Sequence, residues 1–433
     1  MSTGATYKSL FKAWDIPDLK RRLWFVLWSL LVFVVCTHIP AIGVDPKRVA
    51  SFFTNGAGSG GMFQLLGLFS GGALKKLSIL ALGIMPYINS SIMIQLLAAV
   101  DPKMKELNQE GEEGRKTLGR YTRYLAIFLA FLQGGGLLVS IYGGFDALLS
   151  VNNILTLLSV VAGSCFLMWL GDEISQKGVG NGSSMIIMIG IVNAIPGSVL
   201  REMSLAQMSN QRIIAGIILL LFLVAVVAGI VYVQLSARKI PVQYARRQIG
   251  RRVYGGQNTY LPIKLTSAGV IPIIFAISLL MVPQTIIGFF PKMSALNAGW
   301  AKFSGSVWYI LIEFLLVFVF TFIYTAFMFN TQDIADNLKK NNGFIPGIRP
   351  GKPTYDFLDR VLHRVTFFGA LFLAGLAIMP SIINNIVSFA TNVHITSFFI
   401  GGTSLLIVVG VALDTVQQIQ AHMVMQHYSG FNK

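Results

Sequence analysis

Apolar runs long enough to cross a bilayer dominate this chain, and short polar segments separate them. A spanning helix needs about 20 mainly apolar residues, and runs close to that length recur ten times. An even number of spans places both termini on one side of the membrane. The predicted spans, of which the fifth is the shortest, are roughly Leu23–Ile39, Ser78–Ala99, Tyr124–Tyr142, Asn153–Gly171, Ser183–Pro196, Ile213–Gln234, Thr266–Phe289, Val307–Phe329, Thr366–Val387 and Phe398–Gln417.

The chain before and within the second span departs from this regular pattern. Met62–Gly72 is apolar, but it is too short and too rich in glycine to cross a bilayer. The span that follows contains Pro86 and the polar run Asn89, Ser90 and Ser91. Polar or irregular backbone at membrane depth is tolerated only against protein or a watery cavity. We therefore predict a proline-kinked span beside a pathway through the membrane, together with a short re-entrant piece.

Composition supports a polytopic membrane protein. Hydrophobic residues make up 54% of the 433 positions, charged residues only 12%, and the mean hydropathy is +0.67. Cys36 and Cys165 both lie in apolar runs, which argues against a disulfide framework. The basic stretch Lys20–Arg22 leads into an uninterrupted apolar run with no small-residue cleavage site, so we interpret the first span as a retained anchor.

Basic residues predict the orientation of the chain. With the N-terminus in the cytoplasm, the cytoplasmic segments contain 26 of the 34 Lys and Arg residues and the opposite face contains 8. Because an excess of Lys and Arg in loops marks the cytoplasmic side, we expect both termini in the cytoplasm. The net charge of +16 is then concentrated on that face.

Two long cytoplasmic loops are candidate docking surfaces. Ser236–Leu265 contains seven basic residues and no acidic one. Such charge serves orientation and binding to anionic lipids, or it forms a docking surface for an acidic or polyanionic partner; the length of the loop favours docking. Asn330–Arg364 has prolines and glycines over residues 337–354, which predict a turn-rich tip rather than a helix. Arg349 on this tip is a candidate contact residue.

Catalytic and cofactor motifs fail on spacing, so we predict a protein without enzymatic activity, cofactor or metal. Gly347–Pro353 has three residues between its glycines instead of the four of a phosphate loop, and Gly178–Gly182 lacks the strand context of a dinucleotide site. Ion-coupled secondary transporters carry ionisable residues inside the bilayer. The few candidates here lie near the ends of spans, where solvated side chains are expected: Asp172, Glu173, Glu313 and Asp414.

Isoleucine pairs and matched prolines suggest where the pathway lies. Ile84 and Ile88 are four residues apart and share a helix face, as do Ile187 and Ile191. Lipid-facing or core packing would explain such pairs taken alone. Pro86 in span 2 and Pro272 in span 7 fall in corresponding positions of two five-span halves, however. Matched interruptions of this kind indicate an inverted repeat with the pathway at its interface.

These features resemble the SecY family, whose members are central subunits of the bacterial protein-conducting channel, over essentially the whole chain. The motifs occur in the expected order and spacing. They are IPDLKRR (16–22), MFQLLGLFSGGAL (62–74), LGIMPYINSSIMIQLL (82–97), EGRKTLGRYTRY (113–124), GVGNGSSMIIMIGIV (178–192), RKIPVQYARR (238–247), AGVIPIIF (268–275), GFIPGIRPGKPT (343–354) and GGTSLLIVVGVALD (401–414).

The resemblance implies an all-α fold of ten transmembrane helices in two five-helix inverted repeats, which form an hourglass pore. It also implies four sets of site residues: an apolar pore ring, a plug that fills the outer funnel within residues 62–72, a lateral gate, and docking contacts. In that order they are Ile84, Ile88, Ile187, Ile191, Ile274 and Ile407; Met62, Phe63, Leu65, Leu66, Leu68 and Phe69; Asn89, Ser90, Gln133, Gln284 and Thr285; and Arg246, Arg247 and Arg349.

By the same resemblance, the chain would translocate unfolded secretory polypeptides across the bacterial plasma membrane and release apolar segments sideways into it. Its expected partners are SecE, SecG, the SecA ATPase, the ribosome, signal peptides, nascent chains and anionic lipids. Its expected domains are a cytoplasmic amphipathic segment (1–22), two halves (23–200 and 201–417) and a cytoplasmic tail (418–433). The alternatives are an ion-coupled secondary transporter with inverted repeats, and an insertase or scaffold without a full pore.

Overall fold

The computed structural model describes residues 16–54, 67, 69–142, 144, 150–206, 210–244, 247–249, 252–254, 259–266, 268–288, 299–300, 302–304, 306–391 and 402–429. Its long helices are α1 (Pro17–Cys36), α2 (Pro46–Thr54), α3 (Met85–Val100), α4 (Pro102–Gln109), α5 (Glu112–Tyr142), α6 (Val151–Lys177), α7 (Gly182–Ala206), α8 (Asn210–Leu235), α9 (Ile271–Gly288), α10 (Val307–Met328), α11 (Thr331–Lys340), α12 (Lys352–Thr391) and α13 (Gly402–Ser429). The strands are β1 (Ala237–Tyr244), β2 (Arg247–Ile249), β3 (Arg252–Tyr254), β4 (Thr259–Lys264) and β5 (Gly343–Phe344).

Among the described residues, five helical stretches are long and apolar enough to cross a membrane. They are Glu112–Tyr142, Val151–Lys177, Val307–Lys340, Lys352–Pro380 and Thr403–Met423. Shorter apolar helical stretches cover Gly182–Gly197, Leu221–Leu235 and Ile271–Leu280. The protein is therefore an α-helical membrane protein with several candidate spans, whereas the count of ten and the inverted repeat remain predictions.

The second span differs from its prediction at its start. The residues from Ser78 to Ile84 form turns, and α3 begins only at Met85. Pro86 is the second residue of this helix, so it begins the helix instead of kinking it. Proline is tolerated there because the first turn of a helix has no use for the missing N–H group.

The fifth span, predicted over Ser183–Pro196, matches the apolar helical stretch Gly182–Gly197, and α7 continues beyond it to Ala206. The turn-rich tip predicted over residues 337–354 is shorter than expected. Turns and β5 occupy residues 341–351, whereas α11 covers Thr331–Lys340 and α12 begins at Lys352. Asn330 caps α11 by accepting hydrogen bonds from the N–H groups of Gln332 and Asp333.

The chain divides into two compact units, which we describe separately. The first contains Met1–Ile217, Ser278–Ser306 and Val387–Lys433. Its packing centres on α5, which contacts α3 on one side and α6 on the other, while α7 packs against α6 and α13. One core cluster joins the chain between α1 and α3 to α5 and α6 and includes Leu74, Leu77, Leu82, Leu138 and Val160.

Close backbone approaches fix this helix packing. At Gly163 of α6, an added Cβ would lie 2.0 Å from the carbonyl oxygen of Ile79. At Gly182, the first residue of α7, it would lie 2.0 Å from the carbonyl oxygen of Gly171. Only glycine fits such contacts, so the turn that precedes α3 and the start of α7 are both seated directly on α6.

The second unit contains Ile218–Ile277 and Val307–Ile386. Here both long loops that were predicted to be cytoplasmic contribute strands to one antiparallel sheet in the order β4-β1-β5. Ile240 of β1 lies opposite Leu261 of β4, and Gln243 lies opposite Phe344 of β5. Buried side chains under the sheet form a core with the start of α12: Ile240, Val242, Ile263, Ile345, Leu358 and Leu362.

Candidate functional site

The predicted ring residues of the first unit are apolar and mostly buried. The exposed fraction is 2% for Ile84, 3% for Ile187 and 1% for both Ile191 and Ile407, whereas Ile88 is half-buried. Ile84 precedes the first residue of α3, Ile187 and Ile191 lie one turn apart on α7, and Ile407 lies on α13, which packs against α7. The structure thus places four predicted ring residues in the interior of one unit.

Local contacts explain how α7 is positioned. Asn181 caps the helix, because its Oδ1 accepts hydrogen bonds from the N–H groups of Ser183 and Ser184. The hydroxyl of Ser175 on α6 accepts a hydrogen bond of 2.8 Å from the Gly182 N–H. These contacts anchor the predicted cytoplasmic end of α7 to α6. They thereby fix how far Ile187 and Ile191 lie along α7 from that anchor.

The same local structure precedes α3 and α9, each described within its own unit. Gly83 has φ +60° and Gly269 has φ +62°, a region that favours glycine. Each glycine is followed three residues later by the proline at the second position of its helix, Pro86 or Pro272. Each N–H also bonds a carbonyl three residues earlier, at 2.9 Å for Gly83 and 3.0 Å for Gly269.

The two helix starts also place an isoleucine at the same sequence distance from each proline. Ile88 lies two residues after Pro86, and Ile274 lies two residues after Pro272. The N–H of Ile88 bonds the carbonyl of Ile84 at 3.2 Å, and the N–H of Ile274 bonds that of Val270 at 3.3 Å. Ile274 is buried within the second unit, with 8% of its surface exposed. The helices α3 and α9 thus begin with the same local backbone geometry, and the inverted repeat itself remains a prediction.

The end of the predicted plug segment lies against α7. Met62, Phe63, Leu65, Leu66 and Leu68 fall outside the described residues, whereas Phe69 is buried. The Nδ2 of Asn193 donates a hydrogen bond of 3.0 Å to the carbonyl of Gly71. At Gly190, an added Cβ would lie 2.8 Å from the carbonyl oxygen of Phe69. The turn Phe69–Gly72 is therefore in backbone contact with the helix that bears Ile187 and Ile191.

Hydrogen bonds also close the base of the loop that contains this segment. The N–H of Ala41 bonds the carbonyl of Leu77, and the N–H of Ile79 bonds that of Ile39, both at 3.0 Å. Between them, Pro40 and Ser78 form an isolated antiparallel bridge. A movement of the loop is thus expected to leave its two ends in place.

Of the predicted lateral-gate residues, three have described side chains. Ser90 is buried, and its hydroxyl donates a hydrogen bond of 2.5 Å to the carbonyl of Thr122 on α5. Asn89 has a buried Oδ1 that accepts no hydrogen bond from the described residues. Gln133 on α5 is half-buried. Gln284 and Thr285 lie on α9, but their side chains are outside the described set.

An ion pair that the sequence did not predict joins two helices. Arg123 on α5 and Asp172 on α6 are 2.8 Å apart, and the side chain of Tyr87 on α3 lies near this pair. Glu173 pairs with Lys177 at 2.6 Å. Both acidic residues were expected to be solvated or to snorkel near an interface; their side chains are partly exposed, and each also pairs with a neighbouring cation. Because Arg123 and Asp172 are 49 positions apart, only the predicted helix packing could have suggested their pairing.

The docking candidates differ in how far they are described. Arg349 is exposed at the tip of the second loop, and the hydroxyl of Thr354 donates a hydrogen bond of 2.8 Å to its carbonyl. Gly347 (φ +81°) and Gly351 (φ +100°) shape the turns on either side. Arg246 lies outside the described residues, and only the backbone of Arg247, in β2, is described.

Within the described part of the chain, no group of three or more His, Cys, Asp or Glu residues could hold a metal ion. What the described residues offer is an apolar helix seam, a backbone turn seated upon it and an exposed basic loop. A passage and a docking surface are the roles that the sequence analysis predicts for these features.

Comparisons with known proteins agree with this interpretation. A family model described as SecY matches residues 78–416. A protein translocase subunit SecY from Streptomyces coelicolor is 40% identical over 441 residues, covering 97% of this chain and 98% of that protein.

Solved structures share the fold. The structure of a protein-conducting channel superimposes with a TM-score of 0.62 at 17% identity, covering 94% of this chain and 93% of that one. Sec61 in the canine ribosome–channel complex from the endoplasmic reticulum superimposes with a TM-score of 0.57 at 17% identity, with the same coverage. With a family match over most of the chain and 40% identity over almost all of it, the protein belongs to the SecY family of protein translocase subunits.

Proposed function

We propose that the six isoleucines close the waist of a protein-conducting channel, through which unfolded secretory polypeptides cross the bacterial plasma membrane. The observation that carries this is the burial of Ile187 and Ile191 on α7 and of Ile407 on α13, two helices that pack together. Branched side chains at Cβ are stiff at χ1, and a dry apolar constriction excludes ions by dewetting. The ring selects no sequence, so any extended chain can slide through it.

Two further roles follow from the proposed waist. The segment 62–72 would act as the plug of the idle channel, since its described end, Phe69–Gly72, lies against the helix of Ile187 and Ile191. A lateral gate with Asn89, Ser90, Gln133, Gln284 and Thr285 would expose a passing segment to lipid. Apolar segments would then partition outward and charged ones would stay in the conduit. One device would thus serve both secretion and membrane insertion.

The two predicted cytoplasmic loops, which the three-stranded sheet joins, form the proposed docking platform. Their basic residues, with Arg246, Arg247 and Arg349 as candidate contacts, suit the polyanionic ribosome and acidic surfaces of the SecA ATPase. A solved relative of the same fold was studied in a ribosome–channel complex. SecE and SecG are the proposed membrane partners, and anionic lipids would contact the basic face. The driving energy would come from the motor or from translation.

Topology and the division into halves belong to the same proposal. The termini would be cytoplasmic, and the two halves, 23–200 and 201–417, would face each other across the pore. A chain without catalytic activity fits these roles. The secondary transporter gains no support from the comparisons, since the relatives are translocase subunits and protein-conducting channels.

Crosslinking of a stalled secretory chain tests the proposed function. Cys36 and Cys165 are first replaced by serine, and single cysteines are placed at Ile84 or Ile274. We expect both positions to crosslink to a cysteine in the stalled chain. Phe128, which is 62% exposed on α5, is the matched control position and should not react. The result would contradict a conduit at these residues if the stalled chain crosslinks to neither isoleucine position, or if it crosslinks to Phe128→Cys equally well.

A further inference from the structure

The Phe69–Gly72 turn packs closely against α7. We call the two residues of α7 that contact it, Gly190 and Asn193, the seat of the turn. Asn193 donates a hydrogen bond to the Gly71 carbonyl at 3.0 Å, although the two residues are 122 positions apart. The Cα of Gly190 lies 3.3 Å from the position of a Cβ on Gly71. Ser70 is buried with 2% exposed surface, and on its other side its Cα lies 3.5 Å from the position of a Cβ on Gly83. The turn is thus held between α7 and the start of α3.

The chemistry of the turn requires such a support. Gly71 and Gly72 have φ values of +67° and +83°, so the backbone turns in a way that only glycine adopts readily. The tightness of this turn directs the Gly71 carbonyl at α7, where it needs a donor. A buried carbonyl without a donor is unfavourable, and the side-chain amide of Asn193 supplies one.

The position of Asn193 on its helix links the turn to the proposed waist. Gly190 is one turn from Ile187 along α7 and adjacent in sequence to Ile191, and Asn193 is three residues further on. Polar side chains within membrane spans are costly and usually mark function. Asn193 lies in the predicted fifth span, and its side-chain amide donates a hydrogen bond to the turn.

We propose that Asn193 is a positioning residue that holds the Phe69–Gly72 turn on α7 in the idle channel, and that Gly190 provides the clearance that this seat needs. The inference rests on the proposed function, because that function makes the turn a part of the extracytoplasmic seal. When the hydrogen bond breaks, the turn leaves α7 more often, and the proposed seal opens beside Ile187 and Ile191.

Thiol accessibility of Ser70 measures the seat directly. In a chain without Cys36 and Cys165, Ser70→Cys is assembled with its partner subunits in proteoliposomes. A membrane-impermeant maleimide is then added from the extracytoplasmic side. Asn193→Leu keeps a similar volume but removes the donor. We expect the labelling rate to rise about fivefold, as the loss of one hydrogen bond predicts, and single-channel openings to become more frequent in planar bilayers.

Two companion variants sharpen the test. Val192→Leu changes an exposed residue next to Asn193 and should leave both readouts unchanged. Gly190→Ala places a methyl group 2.8 Å from the Phe69 carbonyl oxygen, so it should raise the labelling rate at least as much as Asn193→Leu does. If Gly190→Ala fails to assemble, Asn193→Leu against Val192→Leu still decides the outcome.

The result separates this inference from the proposed function. If Asn193→Leu labels at the original rate while the stalled chain still crosslinks to Ile84→Cys and Ile274→Cys, the seat is wrong and the channel function stands. If the stalled chain reaches neither isoleucine, the proposed function fails whatever the labelling rate. A rise in labelling together with intact crosslinking supports both.

Discussion

Isoleucine combines a large apolar surface with a side chain that is restricted at χ1. Both properties suit a seal that excludes ions without recognising any particular polypeptide sequence. The sequence could suggest Ile187 and Ile191 because a spacing of four places both on one helix face. It could not suggest the contact between α7 and α13, which places Ile407 on a neighbouring helix. That step needed the family resemblance, because packing partners far apart in sequence leave no local signal.

Replacing Ile407 with asparagine tests the seal at the scale of one residue. The side chain is 1% exposed, so Ile407→Asn places an amide in an apolar site, where it draws water into the proposed waist. We expect the ion conductance of the idle channel in planar bilayers to increase at least tenfold. Ala412→Asn, which introduces the same amide at an exposed position of α13, is the control. Equal conductance for Ile407→Asn and the original protein would argue against the ring.

Arg349 offers a second test of a single residue. Its side chain is exposed while its backbone carbonyl is held by Thr354, so a substitution should leave the loop intact. Reversing a charge at a contact opposes an acidic partner surface. Arg349→Glu is therefore expected to lower ATP-driven export into inverted vesicles by at least tenfold.

The control for Arg349 lies on the same loop. Lys339 is an exposed residue of α11, so Lys339→Glu makes the same change of charge away from the tip. It should retain most of the export activity. If Arg349→Glu exports as well as Lys339→Glu, the docking role of Arg349 is wrong.

At the scale of elements, the predictions failed where residues that mark the start of a helix were not recognised as such. Pro86 was interpreted as a kink, although Gly83 three residues earlier marks a turn before a helix that begins at Met85. Similarly, Asn330 followed by Asp333 is a helix-start signal that could have predicted α11. Turn-forming residues that follow Lys340 masked this signal.

The sheet of the two cytoplasmic loops illustrates a different limit. Burial alternates along β1, with Ile240 and Val242 directed inward between exposed neighbours, so the strand itself was predictable from the pattern Arg-Lys-Ile-Pro-Val. The pairing of β1 with β5 was not, because β5 has only two residues and lies about a hundred positions later. Basic charge had identified both loops as candidate docking surfaces, but it gave no indication that they form one sheet.

Because the two loops share one sheet and one core, we expect a substitution in the core of one loop to destabilise both loops. Ile345 is buried in the core beneath the sheet, whereas its neighbour Phe344 is 38% exposed. Ile345→Ala is expected to destabilise the platform by about 2–5 kcal/mol, as truncations of buried aliphatic residues do. Trypsin should then cleave at the basic residues of both loops faster than in the original protein.

Phe344→Ala provides the matched comparison, since it removes an even larger side chain from an exposed position. It should change the cleavage rate far less than Ile345→Ala. Faster cleavage in the second loop alone would show that the loops unfold independently, and the idea of one platform would be lost.

For the whole molecule, composition and the lengths of the apolar runs were enough to predict a polytopic helical membrane protein. The family resemblance could be drawn from ordered motifs alone, and the full-length match to known translocase subunits confirms it. Features that depend on distant contacts were beyond the sequence. The Asn193–Gly71 hydrogen bond and the Arg123–Asp172 pair each join residues that are separated by at least 49 positions, and in each pair one partner, Asn193 or Asp172, lies outside the family motifs.

The orientation of the whole chain follows from its charge, and single cysteines can test it. With 26 of 34 basic residues on one predicted face, the opposite orientation would translocate the long basic loops, which loop charge disfavours. Lys75 and Lys352 are both exposed and lie on opposite predicted sides. In a chain with Cys36 and Cys165 replaced by serine, an impermeant maleimide applied to intact cells should label Lys75→Cys. It should label Lys352→Cys only after permeabilisation; the reverse pattern would invert the topology and remove the two loops from the cytoplasm, where the docking proposal needs them.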